Sequence, residues 1–102
     1  MVAETFKALS DPVRLEIIER LSSGSAYTLS GVSEGLGLTR QGVRKHVQVL
    51  ADARLVTLKT EGRNTTLLFE PQSLQAANAF IEQLEQKWET RLQALRDYVV
   101  NS

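Results

Sequence analysis

Residues Gly35 to Leu50 read GLGLTRQGVRKHVQVL, and this stretch decides the fold. Leu38 closes a short turn, and Thr39 is placed to cap the helix that follows. Within that helix Val43, Val47 and Leu50 recur at i, i+4 and i+7, which is one buried face. The other side of its first two turns carries Arg40, Gln41, Arg44, Lys45 and Gln48, long donor-bearing side chains with no acid among them. Reading major-groove base edges requires such a set, because Arg can bridge guanine O6 and N7 and Gln can bridge adenine N6 and N7. A cationic helix taken alone is more often a solvated face, so the neighbouring segments must arbitrate.

Upstream, Thr28 is a second capping candidate, opening a helix from Leu29 to about Gly35 whose apolar side is Leu29, Val32 and Leu36. Gly31 and Gly35 would each cost about 1 kcal/mol against Ala in a helix interior, so tertiary packing must hold this segment. Two short helices joined by the Gly37 turn, the second displaying Arg and Gln, make a helix-turn-helix over about residues 28–53. Earlier still, residues 3–9 are expected to form a leading helix with Phe6 and Leu9 apolar. Ser10-Asp11-Pro12 stops it, and Asp11 caps the next helix with proline in its first turn. There Val13, Ile17, Ile18 and Leu21 make a core face, with Arg14, Glu16, Glu19 and Arg20 expected in solvent.

Downstream, Ala51 to Arg54 is expected to finish the long helix. Residues 55–60 and 65–70 are rich in Leu, Val, Thr and Phe around the polar Glu61-Gly62-Arg63-Asn64, which predicts a β-hairpin over about 55–70. Lys59, Arg63 and Asn64 would place donors on a nucleic-acid backbone or in a minor groove, although a hairpin with a solvated turn needs the same residues. After Pro71, Ser73 is a cap candidate for a last helix over about 74–100. In it Ala77, Ile81, Leu84, Trp88, Leu92, Leu95 and Val99 recur every three or four residues. This helix can fold back on its own domain, but a seam so long exceeds a small core and would leave an apolar strip exposed. Pairing with a second copy through these residues, together with Phe6 and Leu9, removes the strip. A two-fold axis then presents two recognition helices, suited to a pseudo-palindromic site with half-sites roughly 34 Å apart.

At 102 residues the chain is expected to be one domain with a single modest core. No apolar run approaches the roughly 20 residues that span a bilayer, and the N-terminus lacks the basic start and apolar block of a signal peptide. A cytoplasmic protein is expected. Zero cysteines exclude disulfides and thiolate metal sites. Net charge is zero, but it is unevenly distributed: residues 1–39 carry −2, residues 40–63 carry +4 and residues 64–102 carry −2. Local potential steers a protein to phosphate more than global charge does.

The order helix, helix, helix-turn-helix, hairpin, long helix is mainly α with a small β-hairpin wing, a winged helix-turn-helix. It resembles the ArsR/SmtB-like family of bacterial repressors over nearly the whole chain. The matching stretches are FKALSDPVRLEIIERL, LGLTRQGVRKHVQVLADARLV and LKTEGRNTTLLFEP. The resemblance implies a homodimeric repressor that blocks transcription from double-stranded operator DNA. It places the base-reading residues on Arg40, Gln41, Arg44 and Lys45 and the wing tip on Arg63 and Asn64; beside them, the reading of the residues themselves adds Thr39, Gln48 and Lys59 to the expected DNA-contact set.

The chain departs from that family in three respects. Family members usually carry a small hydroxyl residue where Arg44 stands, and Gly42 is unusual in the recognition helix. The metal-sensing members use cysteines, or His and carboxylate sets on the last helix, whereas this chain has no Cys and only His46. No metal and no cofactor are expected, and Glu82, Glu85 and Glu89 fit a solvated stripe better than a transition-metal site. The inducer, or a partner protein in its place, is left open. His46 borders the buried face, where it is either a partly buried hydrogen-bonded side chain or a phosphate contact. No catalytic role is expected, because the chain shows no phosphate-binding glycine loop, nucleophile elbow or metal constellation. The competing class is a dimeric winged-helix protein-docking module without specific DNA binding, which the zero net charge would suit and the central +4 block opposes.

Overall fold

The computed structural model describes Val2 to Asn101. Its elements are α1 (Val2–Leu9), α2 (Pro12–Leu21), β1 (Tyr27–Thr28), α3 (Leu29–Ser33), α4 (Arg40–Asp52), β2 (Val56–Glu61), β3 (Asn64–Phe69) and α5 (Gln72–Asn101). Helices α2, α3 and α4 start where polar caps allow them to. The Asp11 carboxylate accepts from the N–H groups of Val13 and Arg14, at 2.8 and 3.3 Å, and Pro12 follows in the first turn. Thr28 and Thr39 repeat the device three residues ahead of a glycine, each hydroxyl accepting from Gly31 or Gly42 N–H at 3.0 Å. Asp11 thus satisfies two, and each threonine one, of the donors that a helix start leaves without an intrahelical partner.

Ile17, Ile18 and Leu21 from α2, Leu29 and Val32 from α3, and Val43, Val47 and Leu50 from α4 meet Leu55, Val56 and Leu67 beneath the wing in one core. The 3.6-residue period of the α4 stripe therefore seats that helix along its whole length, leaving its polar side outward. β2 and β3 pair antiparallel from Val56 opposite Phe69 to Glu61 opposite Asn64. Gly62 and Arg63 alone make the turn, with Gly62 at φ +61°, where a residue without Cβ is favoured.

Several local expectations are corrected. The helix expected to reach Gly35 stops at Ser33, and Gly35, at φ +77°, belongs to the turn. Its freedom is used for chain reversal, so it carries no helix-interior cost. Thr28 does more than cap α3: with Tyr27 it pairs with Thr66 and Leu67 as β1, making a three-stranded sheet in the order β1-β3-β2. α4 ends at Asp52, and Arg54 adopts φ +59°. The N–H of Leu55 reaches Leu50 O at 2.9 Å and that of Arg54 reaches Ala51 O at 3.0 Å, the paired bonds of a Schellman end. Ser73 lies inside α5 and does not cap it; its hydroxyl donates to Ala53 O and Arg54 O, both at 3.1 Å, tying α5 to the end of α4.

Arg14 and Arg20, expected in solvent, are half-buried cross-links. Arg14 Nε donates to Ala8 O at 2.6 Å and Nη2 to Lys7 O at 3.3 Å, closing the end of α1. Phe6 meets Phe80 edge-to-face with ring centroids 6.1 Å apart, so α1 lies along the start of α5 in the same chain. Leu9, assigned above to a dimer interface, packs against the chain's own core. Beyond Ala77 no residue of α5 is buried, and the molecule extends 70 Å along its longest axis against 24 and 22 Å across. No helix among the described residues is long and apolar enough to cross a membrane.

Candidate nucleic-acid interface

The site is built on the start of α4. Val43, Val47 and Leu50 fix the rotation of the helix, which turns Arg40, Gln41, Arg44, Lys45 and Gln48 outward, all exposed. The Thr39 hydroxyl builds the helix start by capping it. A Cβ on Gly42 would lie 3.2 Å from Thr39 Oγ1, and one on Gly31 would lie 3.1 Å from Thr28 Oγ1. Both glycines thus let a threonine hydroxyl approach the backbone closely, which accounts for a glycine in the first turn of α4.

α3 is held in place by Arg20, whose Nη1 donates to Val32 O at 2.9 Å and Glu34 O at 2.6 Å while Nε pairs with Glu16 at 3.1 Å. A guanidinium has the several fixed donors needed to satisfy the open carbonyls at a helix end. On the other flank His46 is half-buried, its Nδ1 accepting from Arg14 Nη1 at 3.1 Å and standing 4.0 Å from Asp11 Oδ1. Because guanidinium only donates, a neutral ring in this contact would carry its proton on Nε2. Of the two readings of His46, the hydrogen-bonded packing residue is the one this geometry matches. Burial pushes the Asp11 carboxyl up, but the Val13 and Arg14 N–H groups and the His46 and Arg14 charges outweigh it and hold it below 3.8.

The wing folds back toward α4. Arg40, Arg44, Arg63 and Asn64 line one cleft with Ser30 and Thr65, and Arg40 Nη2 donates to Ser30 Oγ at 3.2 Å. Arg44 and Gln48 also face Thr60 and Thr65 across a second, larger cleft. Lys59 stands apart from this group: its ammonium pairs with Glu61 at 3.3 Å, both side chains well exposed, so the pair adds little to stability. Gln48 is engaged within its own helix by Asp52 at 2.9 Å. Ser30, Arg20 and Arg14 were not singled out from sequence as parts of this site, and no local pattern marks them, since each acts across 10 to 32 residues of chain. Among the described residues no three His, Cys, Asp or Glu side chains gather as a metal site.

Residues 9–59 match the model of a helix-turn-helix domain family. The chain is 39% identical over 75 residues to an uncharacterized HTH-type transcriptional regulator of Bacillus subtilis, covering 68% of this chain and 82% of that protein. It is 34% identical over 59 residues to the arsenical resistance operon repressor of the same organism, covering 58% of this chain and 56% of that one. Among solved structures, an ArsR-like transcriptional regulator from Rhodococcus sp. RHA1 superposes with a TM-score of 0.87 at 27% identity, covering 99% of this chain and 92% of that one. The chain belongs to the ArsR/SmtB-like family of helix-turn-helix transcriptional regulators.

Proposed function

We propose that the chain is a homodimeric repressor that acts in the cytoplasm on a pseudo-palindromic operator, with α4 of each protomer in a major groove and the wing on the flanking backbone. The observation that carries this is the acid-free display of Arg40, Gln41, Arg44 and Lys45 on a helix locked by its core stripe, with Arg63 and Asn64 of the wing brought beside it. Arginines there neutralise phosphates and set register, while Gln41 and Lys45, outside the arginine cleft, are free to meet base edges. The name of the arsenical resistance operon repressor supports repression as the outcome.

The dimer is supported by α5. Along its stripe Leu84, Trp88 and Leu95 are 51%, 59% and 52% exposed, on a helix of 30 residues in which Ala77 is the one buried residue among those described. A projecting helix of this kind gains most of its stability from packing an apolar face, and a second α5 supplies one. The test is fluorescence anisotropy on the DNA just upstream of the chain's own reading frame, titrated with salt. Tight binding at two chains per site, falling steeply with log salt, is expected. Absence of binding to any duplex at low salt would instead favour a protein-docking module.

A further inference from the structure

Arg40 and Arg44 stand one turn apart on α4, and the wing turn brings Arg63 to the same small cleft. The rest of its lining is hydroxyl, amide and one leucine, with no carboxylate. None of the three arginines takes part in an ion pair among the described residues. Three guanidiniums gathered without a counter-charge repel one another, and an anion between them turns the repulsion into attraction. Arg40 is moreover tied to Ser30 Oγ of the same cleft at 3.2 Å. The cleft is small, about 30 Å³, on the order of two solvent-sized groups, which suits the oxygens of one phosphate.

We propose that Arg40, Arg44 and Arg63 form a clamp for a single phosphate of the DNA backbone, so that wing and recognition helix close on one shared group. The inference rests on the reading that this face binds DNA. It assigns Arg40 and Arg44, both placed among base readers by family resemblance, to positioning, and leaves base discrimination to Gln41 and Lys45. Ser30 is then a positioning residue that acts through Arg40.

The test compares salt dependence in the full chain and in the R40A/R44A/R63A variant, with far-UV circular dichroism to establish that the variant is folded. Each phosphate neutralised contributes a slope of about 0.9 in log K against log salt. A shared phosphate predicts that the triple variant lowers the slope by about 0.9 per bound protomer, and that R44A/R63A lowers it no further. Three separate phosphates predict a loss of about 2.7 per protomer, stepwise with each arginine, and would overturn the clamp. Inorganic phosphate titrated into the DNA-free protein and followed by amide NMR gives the second arm. Shifts confined to residues 28–30, 40–44 and 63–65, absent in R44A/R63A, are expected. If no duplex binds at any salt, the DNA reading fails on its own; the same phosphate shifts would then keep the clamp as a free-phosphate site, and their absence would overturn it.

Discussion

Arg54→Gly separates the backbone of this molecule from its side chains. Arg54 sits at φ +59° just beyond the end of α4, where the Leu55 N–H closes onto Leu50 O at 2.9 Å. An L-residue in that left-handed conformation costs about 1–2 kcal/mol, because its Cβ crowds the following carbonyl. Glycine removes that cost but carries more unfolded-chain entropy, which gives back about 0.5–1 kcal/mol. The net expectation is stabilisation of roughly 0.5–1 kcal/mol. For a chain of about 100 residues this raises the melting temperature by roughly 2–8 °C. The Ser73 hydroxyl donates to the backbone carbonyl of Arg54, so that link survives the substitution. Arg54→Ala is the control: it deletes the same charge and side chain but keeps the strained Cβ, and no gain is expected. Both variants are melted by differential scanning calorimetry at one protein concentration, since dimerisation would make melting concentration-dependent. Arg54→Gly melting at or below Arg54→Ala would refute the strained Schellman end.

Arg14→Ala removes the guanidinium that joins Lys7 O, Ala8 O and His46 Nδ1, and urea unfolding should show a loss of about 1.5–3 kcal/mol, the range for a hydrogen-bonding charged group; an unchanged midpoint would contradict the cross-link. Asp11 is held below its ordinary value of 3.8 when folded, so its contribution is full above that value and is lost as pH falls through the lower, folded one. The stability advantage of wild type over Asp11→Asn should therefore shrink on acidification below about pH 4, and an advantage that grows there would reverse the assigned sign. Trp88→Glu places a charge in the α5 stripe and should convert dimer to monomer in sedimentation velocity, while a dimer of unchanged affinity would move the interface elsewhere. Arg44→Ala with Lys45→Ala should weaken operator binding at least tenfold and leave the dimer and its melting intact, both residues being exposed.

Most of the helical frame was legible because its signals are local. Thr39 and Asp11 cap because a short polar side chain can reach an N–H two or three residues on, whatever the rest of the chain does. The stripe Val43, Val47, Leu50 declares a buried face by spacing alone, and with it the outward set from Arg40 to Gln48. The hairpin, too, follows from alternating β-formers about a glycine turn. The limits of that legibility are equally specific. Charged residues are expected in solvent by type, yet Arg14 and Arg20 lie half-buried, because their guanidiniums reach across to carbonyls at the ends of α1 and α3.

Caps, periodicity and the central run of cations thus come from the sequence by itself, since each depends on residues within a few positions of one another. Tertiary structure alone decided the rest. It recruited Tyr27–Thr28 to the wing and turned Ser73 back to α4. It also brought Arg63 beside Arg40 and Arg44. Each depends on groups some 10 or more residues apart that meet only when the core closes, and a buried backbone group must find its partner wherever the fold puts one.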